Sequence, residues 1–272
     1  MPRALDHLVI PAHDLAAQAD FYRRLGFQVG SRNRHPWGTE NHIVQFDGQF
    51  LELIGLGEGF SAPEDKEGEF SFAGFVAKYL EAREGLAMLV LRSFDAEADR
   101  REFAAKTIGD FSRFDFARKG RRPDGTTVDV AFSLAFAASQ SWPKTGFFVC
   151  QQHFPENFWN AAAQVHPNGA LGVSRLTFAH PQPNDGVAFL EAFCDAKAER
   201  QGQGFALSLE NLNIEILPAD GVLGMTSIEF LVRDLEVLTA RLERENIAFQ
   251  RSHGAVEIAA SAAMGVELSF VA

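Results

Sequence analysis

The sequence predicts an α+β fold made of four βαβββ modules that join in pairs into two mixed β-sheets. Three observations lead to this prediction. A pattern of strand, helix and further strands occurs four times within 272 residues, as expected when one structural unit is repeated. Three copies begin their helix at an Asp, namely Asp14, Asp95 and Asp234. Three copies also carry a Glu in the last strand, at Glu52, Glu215 and Glu267.

The first module is predicted from a strand at 5–10, an amphipathic helix that ends at 21–27, and short strands that end at 50–54. The second has a strand at 86–92, a helix at 95–108, strands at 111–116 and 126–132 joined by a turn at 121–125, and a last strand at 146–151. The third has a strand at 172–178, a helix near 185–194 and a last strand at 212–217. The fourth has a strand at 225–230, a helix from Asp234 and a last strand at 266–270.

Breaks in the apolar periodicity predict how the modules are grouped. The stretch from Pro155 to Gly169 contains Asn157, Asn160 and a His-Pro-Asn-Gly turn, and it interrupts the strand pattern. We therefore predict a first domain over residues 1–160, with modules one and two, and a second over 167–272, with modules three and four. The stretch 55–68 is rich in Gly and acidic residues and is predicted to be the loop that joins modules one and two.

Four segments of the first module, at 5–10, 21–27, 35–41 and 50–54, resemble the vicinal oxygen chelate (VOC) superfamily, and especially its glyoxalase-like branch. That superfamily includes glyoxalase I, extradiol dioxygenases and bleomycin-resistance proteins. The resemblance is specific over about residues 5–55 and weaker beyond. It implies two VOC-type domains with curved, cupped mixed sheets, each cup holding a divalent metal ion or another ligand. It also implies metal ligands at a first-strand His and a fourth-strand Glu, which are His7 and Glu52 here.

Alignment of the four modules tests this site. The first-strand position of His7 is occupied by Met88, Arg175 and Ser227 in modules two, three and four. The last-strand position of Glu52 is occupied by Cys150 or Gln151 in module two, by Glu215 in module three and by Glu267 in module four. A complete superfamily site takes two residues from each of two paired modules, whereas His7 and Glu52 are the two clear ligands here. A third ligand could be His153, Gln151, His42 or water. Imidazole and carboxylate would suit zinc, manganese, iron or nickel. Without a metal, His7 and Glu52 would be hydrogen-bonded polar groups that line a cavity.

The second pair of modules carries Arg175 where the first carries His7. Because an arginine keeps its proton and cannot bind a metal ion, we interpret this half as structural or as a degenerate pocket. Its helices could instead support a homodimer, and the sequence does not decide between these alternatives.

Several other side chains are candidates for binding a small molecule. Trp37, Asn41 and His42 belong to a loop that could orient a carbonyl group or a ring, or could form only a turn. Phe50 and Gln151 are further candidates in the last strands. The chain has 26 Phe, which predict either an aromatic-lined pocket or an ordinary core. Three arginines of the second module could meet a carboxylate or phosphate of a ligand, or could be surface charges; they are Arg113, Arg118 and Arg122.

Composition excludes several classes of function. With 25 Lys and Arg against 36 Asp and Glu, the formal net charge is −11, which argues against a nucleic-acid-binding surface. No apolar run reaches the roughly 18 residues of a membrane span, and Met1 leads directly into the first strand, so we expect a cytoplasmic protein. The two cysteines, Cys150 and Cys194, are too far apart in sequence to suggest a disulfide framework or a thiolate zinc site.

Three functional hypotheses remain. The first is a metal-assisted lyase, isomerase or dioxygenase, in which the ion polarises a substrate with vicinal oxygens and Glu52 moves the proton. The second is a metal-free protein that binds or sequesters a small ligand, like the bleomycin-resistance members. The third is a scaffold whose cups are filled by side chains. We expect the first pair of modules to be the functional half.

Overall fold

The computed structural model describes residues 1–64, 66–121 and 125–272, and over these residues the chain forms two eight-stranded mixed sheets. The strands of the first sheet are β1 (Leu5–Pro11), β2 (Asn33–Arg34), β3 (Thr39–Phe46), β4 (Gln49–Leu56), β5 (Met88–Ser93), β6 (Phe114–Arg121), β7 (Thr127–Ala137) and β8 (Gly146–Gln152). Those of the second are β9 (Ala170–His180), β10 (Ala198–Gln201), β11 (Gly204–Ser208), β12 (Asn213–Pro218), β13 (Gly224–Val232), β14 (Gln250–Ser252), β15 (Ala255–Ile258) and β16 (Glu267–Val271). The α-helices are α1 (Leu15–Leu25), α2 (Phe72–Ala82), α3 (Ala96–Ala105), α4 (Pro155–Phe158), α5 (Pro183–Cys194) and α6 (Leu235–Arg244).

Both sheets have the same internal symmetry. The first runs β2-β3-β4-β1-β5-β8-β7-β6 and the second runs β10-β11-β12-β9-β13-β16-β15-β14. In each, the first strands of two modules pair antiparallel at the centre, and each first strand pairs parallel with the last strand of its own module. The predicted fold class, four βαβββ modules in two paired VOC-type sheets, is confirmed.

The predicted helix starts are confirmed at all three Asp positions. The side chains of Asp14, Asp95 and Asp234 accept hydrogen bonds from backbone N–H groups in the first turns of α1, α3 and α6. Such caps satisfy donors that have no partner within the helix. In the third module, α5 starts with Pro183 after Gln182, and proline is well tolerated at a first helical position.

The helix α2 lies outside the predicted modules. α2 starts with Ser71 as its N-cap and buries Phe72, Val76, Tyr79 and Leu80 on one side. Its apolar spacing is helical, but it interrupts the βαβββ repeat and so was not predicted. β6 is found at Phe114–Arg121, three residues later than its predicted start. Most of the predicted turn at 121–125 lies outside the described residues.

The strand register corrects part of the alignment of the four modules. His7 pairs with Phe50 and Arg175 with Asn213, which places Glu52 and Glu215 two residues further on in matching positions. In the second module, however, Met88 pairs with Gly146, so the match to Glu52 is Phe148 and neither Cys150 nor Gln151. In the fourth, Ser227 pairs directly with Glu267, which therefore matches Phe50. Loops of unequal length precede the last strands, so helix starts could not fix this register.

The two sheets share one apolar core. Phe27 and Phe46 of the first module contact Phe230 of the fourth, with ring centroids 5.1 and 6.0 Å apart. Phe103 of α3 and Phe193 of α5 also meet, at 5.7 Å. This core crosses the predicted boundary between residues 160 and 167, and the division into two domains stays a prediction. Among the described residues, none of the helices is both long and apolar enough to cross a bilayer.

Candidate functional site

The cup of the first sheet contains a small cavity beside α2. Phe72, Val76, Tyr79 and Leu80 of this helix form a separate apolar cluster with the cup face of the sheet, and they fill one end of the cup. The remaining cavity measures about 60 Å³, whereas ligand pockets typically measure roughly 300–1,000 Å³. It is lined by His7, His35, Trp37, Asn41, Ile43, Phe50, Glu52, Phe72, Phe116, Arg118, Phe132, Leu134, Phe148, Cys150 and Phe158.

A β-bulge in β1 brings Asp6 beside His7. Leu5 pairs with Leu91 and His7 with Val90, so Asp6 is an extra residue that no residue of β5 opposes. Neighbouring side chains in a regular strand point to opposite faces, but a bulge re-aims them. As a result the ring nitrogen Nδ1 of His7 donates to Oδ1 of Asp6 over 2.6 Å.

The contact with Asp6 fixes the orientation of the His7 ring. Asp6 is fully buried, and its second oxygen accepts a hydrogen bond of 2.9 Å from Gln152. The His7 ring also stacks on Phe50, with centroids 4.2 Å apart and an angle of 16° between the planes. In the neutral ring, Nδ1 carries the proton and Nε2 presents a lone pair to the cavity. A carboxylate that holds a histidine in this way is also found in catalytic triads.

Glu52 lies opposite Nε2 of His7. Its Oε2 is 3.9 Å from that nitrogen, and its Oε1 accepts a hydrogen bond of 2.5 Å from the amide of Asn41. The oxygen of the Asn41 amide in turn accepts from Asn33 over 3.2 Å, which sets the orientation of the amide. Glu52 and His7 therefore face the same small volume from two neighbouring strands.

His35 completes the hydrogen-bond network on the far side of Glu52. Its Nε2 lies 3.2 Å from the amide nitrogen of Asn41 and accepts from it, while its Nδ1 donates to the hydroxyl of Thr39 over 2.7 Å. Burial lowers the pKa of His35, although the nearby Glu52 acts in the opposite direction. His35 is accordingly neutral near pH 7 and serves as a fixed acceptor.

Two further donors line the cavity. The half-buried guanidinium of Arg118 belongs to β6; burial lowers its pKa, and Glu52 partly offsets this. Trp37 stacks on His35 with ring centroids 4.6 Å apart. Its indole nitrogen is buried and has no hydrogen-bond partner among the described residues, which is uncommon for a buried N–H group.

These side chains do not form a metal site of the expected kind. No group of three or more His, Cys, Asp or Glu side chains in the described ranges is arranged to hold a metal ion. His7 and Glu52 could supply two ligands. His35 is 3.7 Å from Glu52, but the amide nitrogen of Asn41 lies between them and donates to both. A donor N–H group in that gap would repel a cation.

The structure brings together five of the residues predicted for the site. His7, Trp37, Asn41, Phe50 and Glu52 all line the cavity.

Three other predicted site residues lie elsewhere. His42 is buried, and its Nδ1 donates to the carbonyl of Gly30. The side-chain oxygen of Gln151 accepts from the backbone N–H of Ala96 at the start of α3. His153 is exposed and contacts Ser133 over 2.8 Å.

Sequence reasoning does not select Asp6 or His35 as site residues, and it does not distinguish Arg118 from two other arginines. Asp6 was overlooked because a bulge cannot be read from a strand pattern, and His35 because it lies in a loop. Arg118 was one of three arginines considered for an anion. Of the other two, Arg113 forms an exposed ion pair of 2.8 Å with Asp115, and Arg122 lies outside the described residues.

Comparison with known proteins assigns the family. Residues 5–194 match the family model described as a glyoxalase-like domain. The chain belongs to this glyoxalase-like family. It is thereby a member of the VOC superfamily. The match extends beyond the first sheet to the end of α5, and no curated protein matches the chain.

Solved structures support the VOC fold over the whole chain. A hypothetical protein from Staphylococcus aureus matches with a TM-score of 0.71 and 12% identity, over 98% of both chains. A xylose isomerase-like TIM barrel/4-hydroxyphenylpyruvate dioxygenase fusion protein matches with a TM-score of 0.58 and 13% identity, over 99% of this chain and 48% of its own. A mutant 4-hydroxymandelate synthase from Streptomyces coelicolor matches with a TM-score of 0.55 and 11% identity, over 99% and 92%. At such low identity these similarities concern the fold alone.

Proposed function

We propose that this VOC protein binds a small carbonyl compound in the cup of the first sheet and transfers a proton with His7 as general base. The observation that carries the proposal is the contact between Asp6 and Nδ1 of His7, which leaves Nε2 free to accept a proton inside the cavity. Geometry of this kind is the first requirement for general-base catalysis. The apolar rings around the site would exclude water from the reacting atoms.

The reaction class that fits is proton abstraction from a carbon next to a carbonyl group. The C–H bond breaks, its proton passes to Nε2 of His7, and the electron pair moves onto the carbonyl oxygen to give an enolate. Return of the proton to a neighbouring atom completes an isomerisation. Glu52 is suited to this second transfer, because its Oε2, 3.9 Å from Nε2, can take the proton from His7 and pass it to an adjacent atom of the same substrate. The buried N–H of Trp37 is a candidate donor to the enolate oxygen.

No metal ion is required in this proposal. The family resemblance favours a divalent ion held by His7 and Glu52, but among the described residues no third His, Cys, Asp or Glu is arranged with them to hold an ion. A second candidate function is binding without chemistry. The observation in its favour is the aromatic wall of the cavity, which includes Phe50, Phe132 and Phe148.

Deuterium exchange tests the proposal directly. Wild-type protein, His7→Gln and Glu52→Gln would be incubated in D₂O with hydroxyacetone, dihydroxyacetone or pyruvate, and loss of the α-proton signal followed by NMR. We expect wild-type protein to accelerate exchange, His7→Gln to abolish the acceleration, and Glu52→Gln to reduce it. Ser227→Ala, a change in the equivalent slot of the fourth module, serves as the matched control and should exchange like wild type.

The same assay separates the competing functions. The wild-type rate should persist after treatment with a chelator and should not rise after addition of zinc, manganese, iron or nickel. Exchange that appears only with one of these metals, together with near-stoichiometric metal that is lost in His7→Ala and Glu52→Ala, would contradict the proposal and favour a metal enzyme. Ligand binding without exchange by any of these probes would favour the binding function.

A further inference from the structure

We propose that Arg118 binds a carboxylate of the ligand, and that the ligands of the cup are small monocarboxylates that also carry a carbonyl group. This inference rests on the proposed function, which places the reacting carbon at His7. It adds the chemical class of the substrate and the residue that selects it.

The position of Arg118 is the first support. The inner cavity adjoins an outer cleft of about 1,240 Å³, and Ile43, Arg118 and Phe158 line both. Arg118 therefore lies where the cleft and the inner cavity meet, and His7 lines the inner cavity. A carboxylate held there would leave the adjoining carbonyl group pointing into the inner cavity.

Charge is the second support. In the described part of the chain, Arg118 forms no ion pair, and Glu52 is the charged group that acts on it from a distance. The other arginine of the cleft, Arg32, is bound to Glu40 over 2.7 Å. A half-buried cation without a partner is unfavourable, and an anionic ligand would relieve this cost.

Shape selects a carboxylate among the anions. The inner cavity of about 60 Å³ accepts few heavy atoms. A planar guanidinium binds a planar carboxylate through two parallel hydrogen bonds. A small compound in which carboxylate and carbonyl lie side by side fits both the volume of the cavity and the planar guanidinium.

Binding measurements test the inference. Pyruvate, neutral dihydroxyacetone and inorganic phosphate would be titrated calorimetrically into wild type, Arg118→Met and Arg118→Lys. Arg113→Met is the matched control, because Arg113 is an exposed arginine, already paired with Asp115, that lines neither cavity. Circular dichroism would establish that each variant is folded, and Arg118→Lys keeps the test open if Arg118→Met does not fold.

We expect wild type to prefer pyruvate to dihydroxyacetone and to phosphate. Arg118→Met should weaken pyruvate binding about 10- to 100-fold, the range for loss of a hydrogen bond to a charged group, and should leave dihydroxyacetone unchanged. Arg118→Lys should be intermediate because lysine lacks the planar fork, and Arg113→Met should bind like wild type. Unchanged pyruvate binding in both Arg118 variants, or tighter binding of phosphate than of pyruvate, would overturn the inference.

The outcomes also separate this inference from the proposed function. Pyruvate binding in His7→Gln at wild-type strength, without exchange, would support the role of Arg118 independently of catalysis. Dihydroxyacetone exchange that survives in Arg118→Met would support His7 as the base. If exchange is observed while pyruvate binds no better than dihydroxyacetone, the proposed function stands and the carboxylate inference is wrong.

Discussion

The two cups have the same strand order but opposite character. In the first, α2 packs on apolar residues of the sheet and His7 faces Glu52 across a small cavity. In the second, Arg175 occupies the slot of His7 and lies 3.2 Å from Glu215 and 3.5 Å from Glu229. The ion pairs of Arg175 are partly exposed, with 41% of its side chain accessible. The fold therefore determines where two side chains meet, and the residue types decide whether they are a histidine beside a carboxylate or an arginine in ion pairs.

The β-bulges beside His7 and Arg175 also show that the two cups share a backbone feature and differ in side chains. Asp6 is the extra residue in β1, and in the second sheet Ser174 and Thr226 are the extra residues beside Arg175 and Ser227. In the first cup, the side chain at the bulge orients His7. In the second, the hydroxyl of Ser174 donates to Glu229 instead. The bulge belongs to the fold, whereas the orienting carboxylate belongs to the first cup.

The largest expected effect is that of Asp6→Asn on proton transfer. An Asn amide can donate to Nδ1 of His7 and so favour the tautomer whose proton lies on Nε2, which cannot act as a base. We expect the exchange rate to fall about 10³- to 10⁴-fold, as when the orienting carboxylate of a catalytic triad is changed to its amide. Nitrogen NMR of the His7 ring would report the tautomer.

A variant of the second cup is the control for Asp6→Asn. Ser174→Ala removes the side chain at the matching bulge and should leave both the exchange rate and the His7 tautomer unchanged. An Asp6→Asn protein with wild-type exchange would show that Asp6 is structural only, and the difference between the two cups would then reduce to His7 and Glu52.

The second expected effect concerns the stability of the two sheets together. Phe230 is fully buried and contacts Phe27 and Phe46 across the shared core. Replacement of Phe230 by Ala should lower the free energy of unfolding by about 3–5 kcal/mol. Because one core joins both sheets, hydrogen exchange should accelerate in β1 and β16 alike, and urea unfolding should remain a single transition.

Val237→Ala, at an exposed position of α6, is the control for Phe230→Ala and should change stability little. Destabilisation confined to β9–β16, with a separate transition for residues 1–160, would instead support the predicted division into two independent domains. The two cups would then belong to two separate folding units.

More of the fold than of the candidate site could be predicted from the sequence. The helix starts at Asp14, Asp95 and Asp234 are local signals that a sequence displays directly. The pairing of His7 with Glu52 followed from family resemblance and is compatible with the 3.9 Å contact. Asp6 and Arg118 could not be assigned in this way, because their roles depend on a bulge and on how an edge strand closes the cup.

A smaller effect is expected from pH. Burial lowers the pKa of His35, His42 and His166, so below the ordinary value of about 6.5 the unfolded chain binds protons that the folded chain excludes. The free energy of unfolding should therefore fall as the pH is lowered from 6.5 toward the depressed folded-state pKa values. Urea titrations between pH 7.5 and 5.5 would measure it, and His35→Gln should make the dependence shallower. Stability that rises on acidification would show that these rings are not held neutral.

The smallest expected effect concerns the reactivity of the two cysteines, which reports how readily the first cup opens. Burial raises the pKa of Cys150 well above its usual range and that of Cys194 to about 12, and the thiolate is the reactive form. Both should react slowly with iodoacetamide at pH 8. Cys150 lines the cavity beside α2, whereas Cys194 lies in the core between the sheets. We therefore expect mass spectrometry to find Cys150 labelled first, and pyruvate to slow Cys150 alone. Equal rates for both thiols would mean that the cup opens only when the whole core unfolds, because only global unfolding exposes both positions together.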